Sequence, residues 1–298
     1  MPAAIFVNPA AGRGGARRKI AEVLDALARR RYPIEISETH SAEEFQSKVR
    51  AAAAGGCKTF IAMGGDGTLQ LLVREVVGQG VRVGVIPAGG GNDFAAALGI
   101  REDVEQAVEV IVGGNCRAVD VVRVRSENGP DALYLGGGGM GLDAEAVRYA
   151  SGKFLNWPGR LRYVASAVAA LGGFSGIELT ADFPGCQLPP IQKQVLLVAV
   201  LNTPTYGGGL RLAPDAQIDD GILEVVLLEM LRKREVLALL PRLLMTGELK
   251  TKRVERIHAS KIRFSARAVT WFQGDGELLA ESPVEIQVMP KALRMLAP

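Results

Sequence analysis

A chain of 298 residues is long enough to bury two separate cores, and 48% hydrophobic residues with 36 glycines suit a turn-rich α/β protein rather than a disordered one. A net charge of +3 speaks against a generally basic nucleic-acid binder. Two histidines and three scattered cysteines (Cys57, Cys116 and Cys186) speak against a histidine metal site or triad, a zinc site and a disulfide framework, and suit a reducing compartment.

The chain opens directly on an apolar strand, residues 3–8, so no leader is expected ahead of the fold and a cytoplasmic location is expected. Asn8-Pro9-Ala10-Ala11-Gly12-Arg13-Gly14-Gly15 follows as a glycine-rich turn, and Arg17-Arg18-Lys19 opens a helix to about Arg31. A strand over 33–37 and a helix over 42–54 come next. Phe60-Ile61-Ala62-Met63 then reads as a buried strand running into Gly64-Gly65-Asp66-Gly67-Thr68, ahead of a helix from Leu69. A fourth strand, 82–86, ends in Pro87-Ala88-Gly89-Gly90-Gly91-Asn92-Asp93-Phe94.

This alternation predicts a parallel sheet with helices on both faces, with all three glycine loops at the carboxyl ends of its strands. Glycines leave backbone N–H groups pointing outward, and a helix N-terminus adds about half a positive charge, so such loops collect anions. Asp66 puts a carboxylate where Mg²⁺ or a ribose hydroxyl could be held, and Thr68 offers a hydroxyl to a phosphate or a helix cap. A capped strand-to-helix turn explains any one loop better when it is taken alone; three on one edge, with arginines beside the first, point to a nucleotide-phosphate site. None is a P-loop or a clean GxGxxG.

Asn8-Pro9-x-x-Gly12, Gly64-Gly65-Asp66-Gly67-Thr68 and Pro87-x-Gly89-x-Gly91-Asn92-Asp93-Phe94 together resemble the diacylglycerol kinase catalytic domain. The likeness is strongest to bacterial soluble lipid kinases related to sphingosine and ceramide kinases. The Gly-Gly-Asp-Gly element is shared with NAD kinases and 6-phosphofructokinases, and the first and third elements favour the lipid kinases. The resemblance implies ATP held by Asn8, Pro9, Gly12, Arg17, Gly64, Gly65, Asp66, Gly67, Thr68, Gly89, Gly90, Gly91, Asn92 and Asp93, with Asp66 and Asp93 facing the nucleotide and its Mg²⁺. Two positions depart from the family, which usually has Thr at Gly90 and often Arg at Ala96.

A helix over 103–112 and a strand over 117–124 lead out of this region, placing a boundary near Asp120: residues 1–120 form a nucleotide-binding α/β domain and 121–283 a mainly antiparallel β-sandwich for the lipid. Beyond it come the glycines 136–141, a helix over 161–171, strands over 177–182 and 194–202, the turn Tyr206-Gly207-Gly208-Gly209, and strands over 222–228, 260–265 and 269–272. The family implies that the last strand, 284–288, and the chain up to 298 return to the first domain. Gly139-x-Gly141-x-Asp143, Asn202-x-x-x-Tyr206-Gly207-Gly208-Gly209, Asp219-Asp220-Gly221 and Gly274-Asp275-Gly276-Glu277 extend the resemblance over nearly the whole chain.

The family's general base corresponds to Asp275, with Glu277 close by, although Asp-Gly between strands is also an ordinary hairpin turn. Asp120 matches an acidic residue that holds Mg²⁺ or orients the base; a solvent-facing edge-strand residue is the alternative. Asp215, Gln217 and Asp220 resemble a second, structural Mg²⁺ site, in which the neutral Gln217 weakens binding, or else an Asp-rich surface loop. Arg17 and Arg18 either reach a phosphate or are solvated.

Residues 232–267 carry Arg232, Lys233, Arg234, Arg242, Lys250, Lys252, Arg253, Arg256, Lys261, Arg263 and Arg267 against Glu235, Glu248 and Glu255, and 232–245 adds Leu237, Leu239, Leu240, Leu243 and Leu244. Such a face can lie on anionic lipid; leucines packed inward under solvated charges are the alternative. The longest uncharged run, 163–177, falls short of the ~18–20 residues that span a bilayer, so membrane contact is expected to be peripheral. The expectation is an ATP- and Mg²⁺-dependent lipid kinase with diacylglycerol as acceptor, no nucleic-acid partner, and a homodimer as one allowed assembly. An NAD kinase-like enzyme and a catalytically inactive nucleotide- or lipid-binding regulator are the competing readings.

Overall fold

A computed structural model describes residues 3–127, 129–152, 159–249 and 251–298. The chain divides into two compact units, Met1–Val119 with Lys291–Pro298, and Asp120–Pro290.

The first unit alternates strands and helices: β1 (Ala3–Val7), α1 (Ala11–Arg29), β2 (Ile34–Glu38), α2 (Ala42–Ala54), β3 (Thr59–Gly64), α3 (Asp66–Val76), β4 (Arg82–Pro87), α4 (Asp93–Ala97) and α5 (Val104–Gly113). The sheet order is β2-β1-β3-β4, parallel throughout, and Arg294 and Met295 of the chain's last strand extend it in parallel beside Arg82 and Val83. Every residue of β1 and β3 is buried, as expected for parallel strands covered on both faces. Helix α1 packs on α5, and α2 on α3. The chain leaves β1 for β2 on one side and returns to build β3 on the other. That reversal point, between β1 and β3, is where parallel sheets open a crevice beyond their carboxyl ends.

The second unit holds the later part of β5 (Cys116–Ser126), then β6 (Ala132–Tyr134), β7 (Gly137–Gly141), α6 (Leu142–Ser151), α7 (Gly159–Gly173), β8 (Ile177–Asp182), β9 (Ile191–Leu201), β10 (Leu223–Glu229), α8 (Lys233–Thr246), β11 (Val254–Ala259), β12 (Lys261–Ala266), β13 (Trp271–Gly274), β14 (Glu277–Glu281) and most of β15 (Val284–Leu296). Its strands are mostly antiparallel. The long strand β9 serves two neighbourhoods: residues 191–195 pair with β8, and residues 197–201 pair with β7 on one side and β10 on the other. A strand that changes sheets in this way turns a sandwich corner, and both sheets close on one core including Val198, Val225, Phe264, Phe272 and Ile286.

Several elements differ from expectation. Strand β7 lies within the glycine run 136–141, to which the sequence assigns no element, and all five of its residues are buried. A Cβ on Gly138 would come within 2.6 Å of the Gln273 carbonyl oxygen, and one on Gly139 within 2.4 Å of the Val198 carbonyl oxygen. The glycines are there because β9 and β13 press on the strand from both sides, which period-two alternation cannot reveal. Elements α4, α6, β11 and β14 are additional, and the strand expected from 269 begins at Trp271, Val269 being exposed. Among the described residues no helix is long and apolar enough to cross a membrane.

Candidate functional site

The three glycine loops of the first unit meet. After β1, the Asn8 backbone N–H donates to the Met63 carbonyl at 3.1 Å, and the Asn8 side-chain amide reaches Thr68 Oγ1 at 3.4 Å. After β4, the Ala88 N–H donates to the Gly64 carbonyl at 2.8 Å. Residues 12–14 are all left-handed (φ 58°, 57° and 78°), and a Cβ on Gly12 would sit 2.2 Å from the Ala88 carbonyl oxygen. One on Gly89 would sit 2.4 Å from Gly65 Cα. Glycine is required at both positions because backbone meets backbone. Lys19 Nζ lies 3.5 Å from the Pro87 carbonyl oxygen, drawing the head of α1 to the third loop.

Asp66 lies at the head of α3, yet its carboxylate binds across to α4: the N–H groups of Asp93 and Phe94 each donate to it at 3.1 Å. Burial raises the Asp66 pKa; the Phe94 amide opposes this, the nearby Asp93 charge adds to it, and the Asp93 and Asn92 amides oppose it. Its ordering role is therefore a tie between loops, and each oxygen already carries an amide. Asn92, left-handed at φ 56°, folds its side chain back on Gly89, accepting from N–H at 3.1 Å and donating to the carbonyl at 3.2 Å; it also donates to Glu102. Thr68 is buried and Pro9, Gly67 and Asp93 are half-buried, whereas Gly90, Gly91, Arg13, Arg17 and Arg18 are exposed. The rim thus offers exposed backbone, the opening turn of the 11-residue α3 and exposed cations, a set suited to an anion.

In the second unit, Asp275 (φ 49°) and Gly276 (φ 84°) form the two-residue turn between β13 and β14, so the hairpin alternative is present in full. The Asp275 carboxylate is nevertheless built into the fold. Its Oδ2 accepts the Leu135 N–H at 2.7 Å, and its Oδ1 accepts those of Gly136 and Gly137 at 2.9 and 3.1 Å. Its own N–H donates to the Gly137 carbonyl at 2.8 Å. Glu277 opens β14 two residues later and is half-buried. Buried Tyr134 donates its hydroxyl to the Val200 carbonyl at 3.1 Å; burial first, then the Asp275 charge, keeps it protonated well above its ordinary range.

Asp120 is fully buried, which removes the solvent-facing alternative. Its N–H donates to the Ile218 carbonyl and its Oδ2 accepts the Gly221 N–H, both at 2.7 Å, so it anchors the 215–221 loop. On that loop Asp215, Gln217 and Asp220 are exposed, and Asp220 Oδ1 accepts the Ile222 N–H at 2.9 Å. Among the described residues no group of three or more His, Cys, Asp or Glu is placed to hold a metal ion. Asn202, quoted in the sequence pattern without a role, joins these parts: its side-chain amide donates to the Leu135 carbonyl at 2.9 Å and to that of Asp120 at 3.5 Å. Gln273 carries no sequence signal at all; it is fully buried one residue before the Gly274-Asp275-Gly276 turn.

On α8, Val236 and Leu239 pack on a small core with Leu196, Leu228 and Leu231, while Arg232, Lys233, Arg234, Leu237, Arg242 and Met245 are exposed. The inward side is packed as the second alternative reads, and the exposed side carries cations with Leu237 and Met245. Lys250 and the Leu244 side chain lie outside the described residues.

Residues 2–124 match the model of the diacylglycerol kinase catalytic domain, and residues 138–297 that of the YegS C-terminal NAD kinase beta sandwich-like domain. The chain is 26% identical to a diacylglycerol kinase of Mycobacterium tuberculosis (strain CDC 1551 / Oshkosh), over 98% of this chain and 94% of the relative. It is 26% identical to a diacylglycerol kinase of Bacillus subtilis (strain 168), over 99% and 96%. It is 29% identical to the "Probable lipid kinase YegS" of Salmonella newport (strain SL254), over 96% and 94%. A solved diacylglycerol kinase structure from Bacillus anthracis (strain Sterne) superposes with a TM-score of 0.75 at 18% identity, covering all of this chain and 97% of the other.

Proposed function

The chain belongs to the family of diacylglycerol kinases and YegS-type lipid kinases, and we propose that it transfers the γ-phosphoryl group of ATP to the free hydroxyl of diacylglycerol. It is a lipid kinase, a phosphotransferase with an alcohol acceptor, and that family implies ATP as donor. The observation that carries the reading is the meeting of three glycine loops beside the reversal point of a parallel sheet, where anionic ligands bind.

Bound ATP supplies the transferred group. The amides at the head of α3 and of the 89–91 loop hold phosphate oxygens, with Arg17 reaching in from solvent. Asp93, whose backbone Asp66 fixes, is the carboxylate that would hold Mg²⁺, which would offset charge on the phosphates. A second Mg²⁺ on Asp215, Gln217 and Asp220 has only exposed donors and would bind weakly. Asp275 accepts the proton of the lipid hydroxyl late, as the new bond to phosphorus forms. Three amides hold its carboxylate in one orientation, while Asp120 secures the 215–221 loop through the Gly221 amide. The lipid is met at an anionic membrane surface, by the exposed side of α8.

Radiolabelled ATP offered to diacylglycerol in mixed micelles, with NAD as a parallel acceptor, tests the reading. Label is expected in phosphatidic acid. Label in NADP instead, or in neither product, sinks it.

A further inference from the structure

We propose that Asp143, acting through Tyr206 and Gln273, is the positioning residue for the turn that carries Asp275. The inference rests on the reading of Asp275 as the base. An acid in the first turn of a helix is ordinarily a solvated partner of the helix dipole. Asp143 is second in α6 and folds back over the sheet instead. Its Oδ1 accepts the Ala144 N–H at 2.8 Å, and its Oδ2 accepts the Tyr206 hydroxyl and the Gln273 Nε2, both at 3.1 Å. Space for the carboxylate comes from β7, since a Cβ on Gly139 would lie 2.4 Å from Asp143 Oδ2.

Gln273 passes the contact on. Its amide has one usable orientation: Oε1 faces the Gly276 N–H at 3.2 Å, which only donates, and Nε2 is thereby turned to Asp143 Oδ2. Gly276 is the second residue of the turn, so a chain of two side chains runs from α6 to the residue next to Asp275. Tyr206 is held just as firmly. Its backbone exchanges hydrogen bonds of 2.8 and 2.9 Å with Leu210 across three glycines, and its ring covers Gly137, where a Cβ would meet Cδ2 at 2.7 Å. Gly137 also donates its N–H to Asp275. Asp143 therefore fixes two side chains that approach the turn from different places, Gln273 from β13 and Tyr206 from the 206–210 loop. Apolar packing would fill the same space without fixing either donor's direction.

Three variants, assayed with ATP and diacylglycerol micelles beside wild type, test this: Asp143→Asn, Gln273→Met and their combination. Asp143→Asn is expected to fold, to lose about tenfold in kcat, the effect of one charged hydrogen bond, and to keep KM for ATP within about twofold. The double variant should lose less than the product of the two single losses, because the Gln273 branch is being cut twice. Wild-type kcat in Asp143→Asn, a KM effect without a kcat effect, or losses that multiply would each overturn the proposal. Should Asp143→Asn fail to fold, Tyr206→Phe removes one donor and leaves the carboxylate; a severalfold fall in kcat at unchanged KM is then expected, and no change overturns it. Asp275→Asn separates the two levels. If it turns over normally, the reading of the base has failed; if it is inactive while Asp143→Asn is normal, only the positioning role has.

Discussion

Burial pushes Asp143 up to about 7 from an ordinary 3.8, against the hydrogen bonds of Gln273, the Ala144 N–H and Tyr206 that favour its charged form. A carboxyl group whose pKa is higher folded than unfolded holds more protons in the native state between those two values. Stability from this group is therefore greatest at or below about pH 4, declines as pH rises, and levels off above about 7. Asp143→Asn should flatten that ramp: its stability relative to wild type should rise between pH 5 and pH 8, by at most a few kcal/mol as an order of magnitude. Urea unfolding at both pH values measures it, and parallel shifts at the two would refute the assignment. The sequence shows Asp143 only as one term of a glycine pattern. Its partners lie on strands and loops 63 and 130 residues away, so no local signal could expose the contact. Asp66 was visible for the same reason that Gln273 was not. A carboxylate inside a glycine loop stands out, whereas a glutamine inside a strand does not, although Asp66 turns out to bridge to α4 rather than cap its own helix.

Among the elements, those governed by local periodicity were legible. Helix α2 begins where Ser41 accepts the Glu44 N–H at 3.1 Å, and β1 and β3 are apolar without interruption. Strand β7 was hidden because glycine disfavours strands, and its reason for being one lies in Phe272, Gln273 and Val198, all remote in sequence. Helix α8 had two readings in sequence because its apolar residues are divided between an exposed and an inward set. Leu237 is 48% exposed and Met245 86%, among Arg232, Lys233, Arg234 and Arg242, while Val236 and Leu239 face inward. We expect Arg232→Glu/Arg234→Glu to lower sedimentation with phosphatidylglycerol vesicles by about tenfold or more, since each cation near an anionic surface contributes ~1 kcal/mol. Binding to phosphatidylcholine should be weak in wild type and variant alike. Equal sedimentation of the two proteins with the anionic vesicles would remove α8 from the membrane surface.

At the scale of the whole molecule, the first unit is discontinuous: residues 3–119 are joined by the tail from Lys291, whose Leu293, Met295, Leu296 and Ala297 are buried. Leu296 packs over Gly84, where a Cβ would meet its Cδ1 at 3.1 Å, and the Ala297 N–H donates to the Asn115 carbonyl at 3.1 Å. Mg·ATP is expected to raise the melting temperature of the 298-residue chain by mass action, and ending the chain after Pro290 should abolish that rise. A truncated chain with an undiminished shift would show that the tail is dispensable to nucleotide binding.

The same tail sets an order on synthesis. A ribosome that has passed Pro290 has made every residue of the second unit, yet the sheet begun with β1 still lacks its neighbour beside β4. Of the two units, the one begun first is thus the one completed last, and its side of Gly84 waits for a leucine made only after the whole of the other unit.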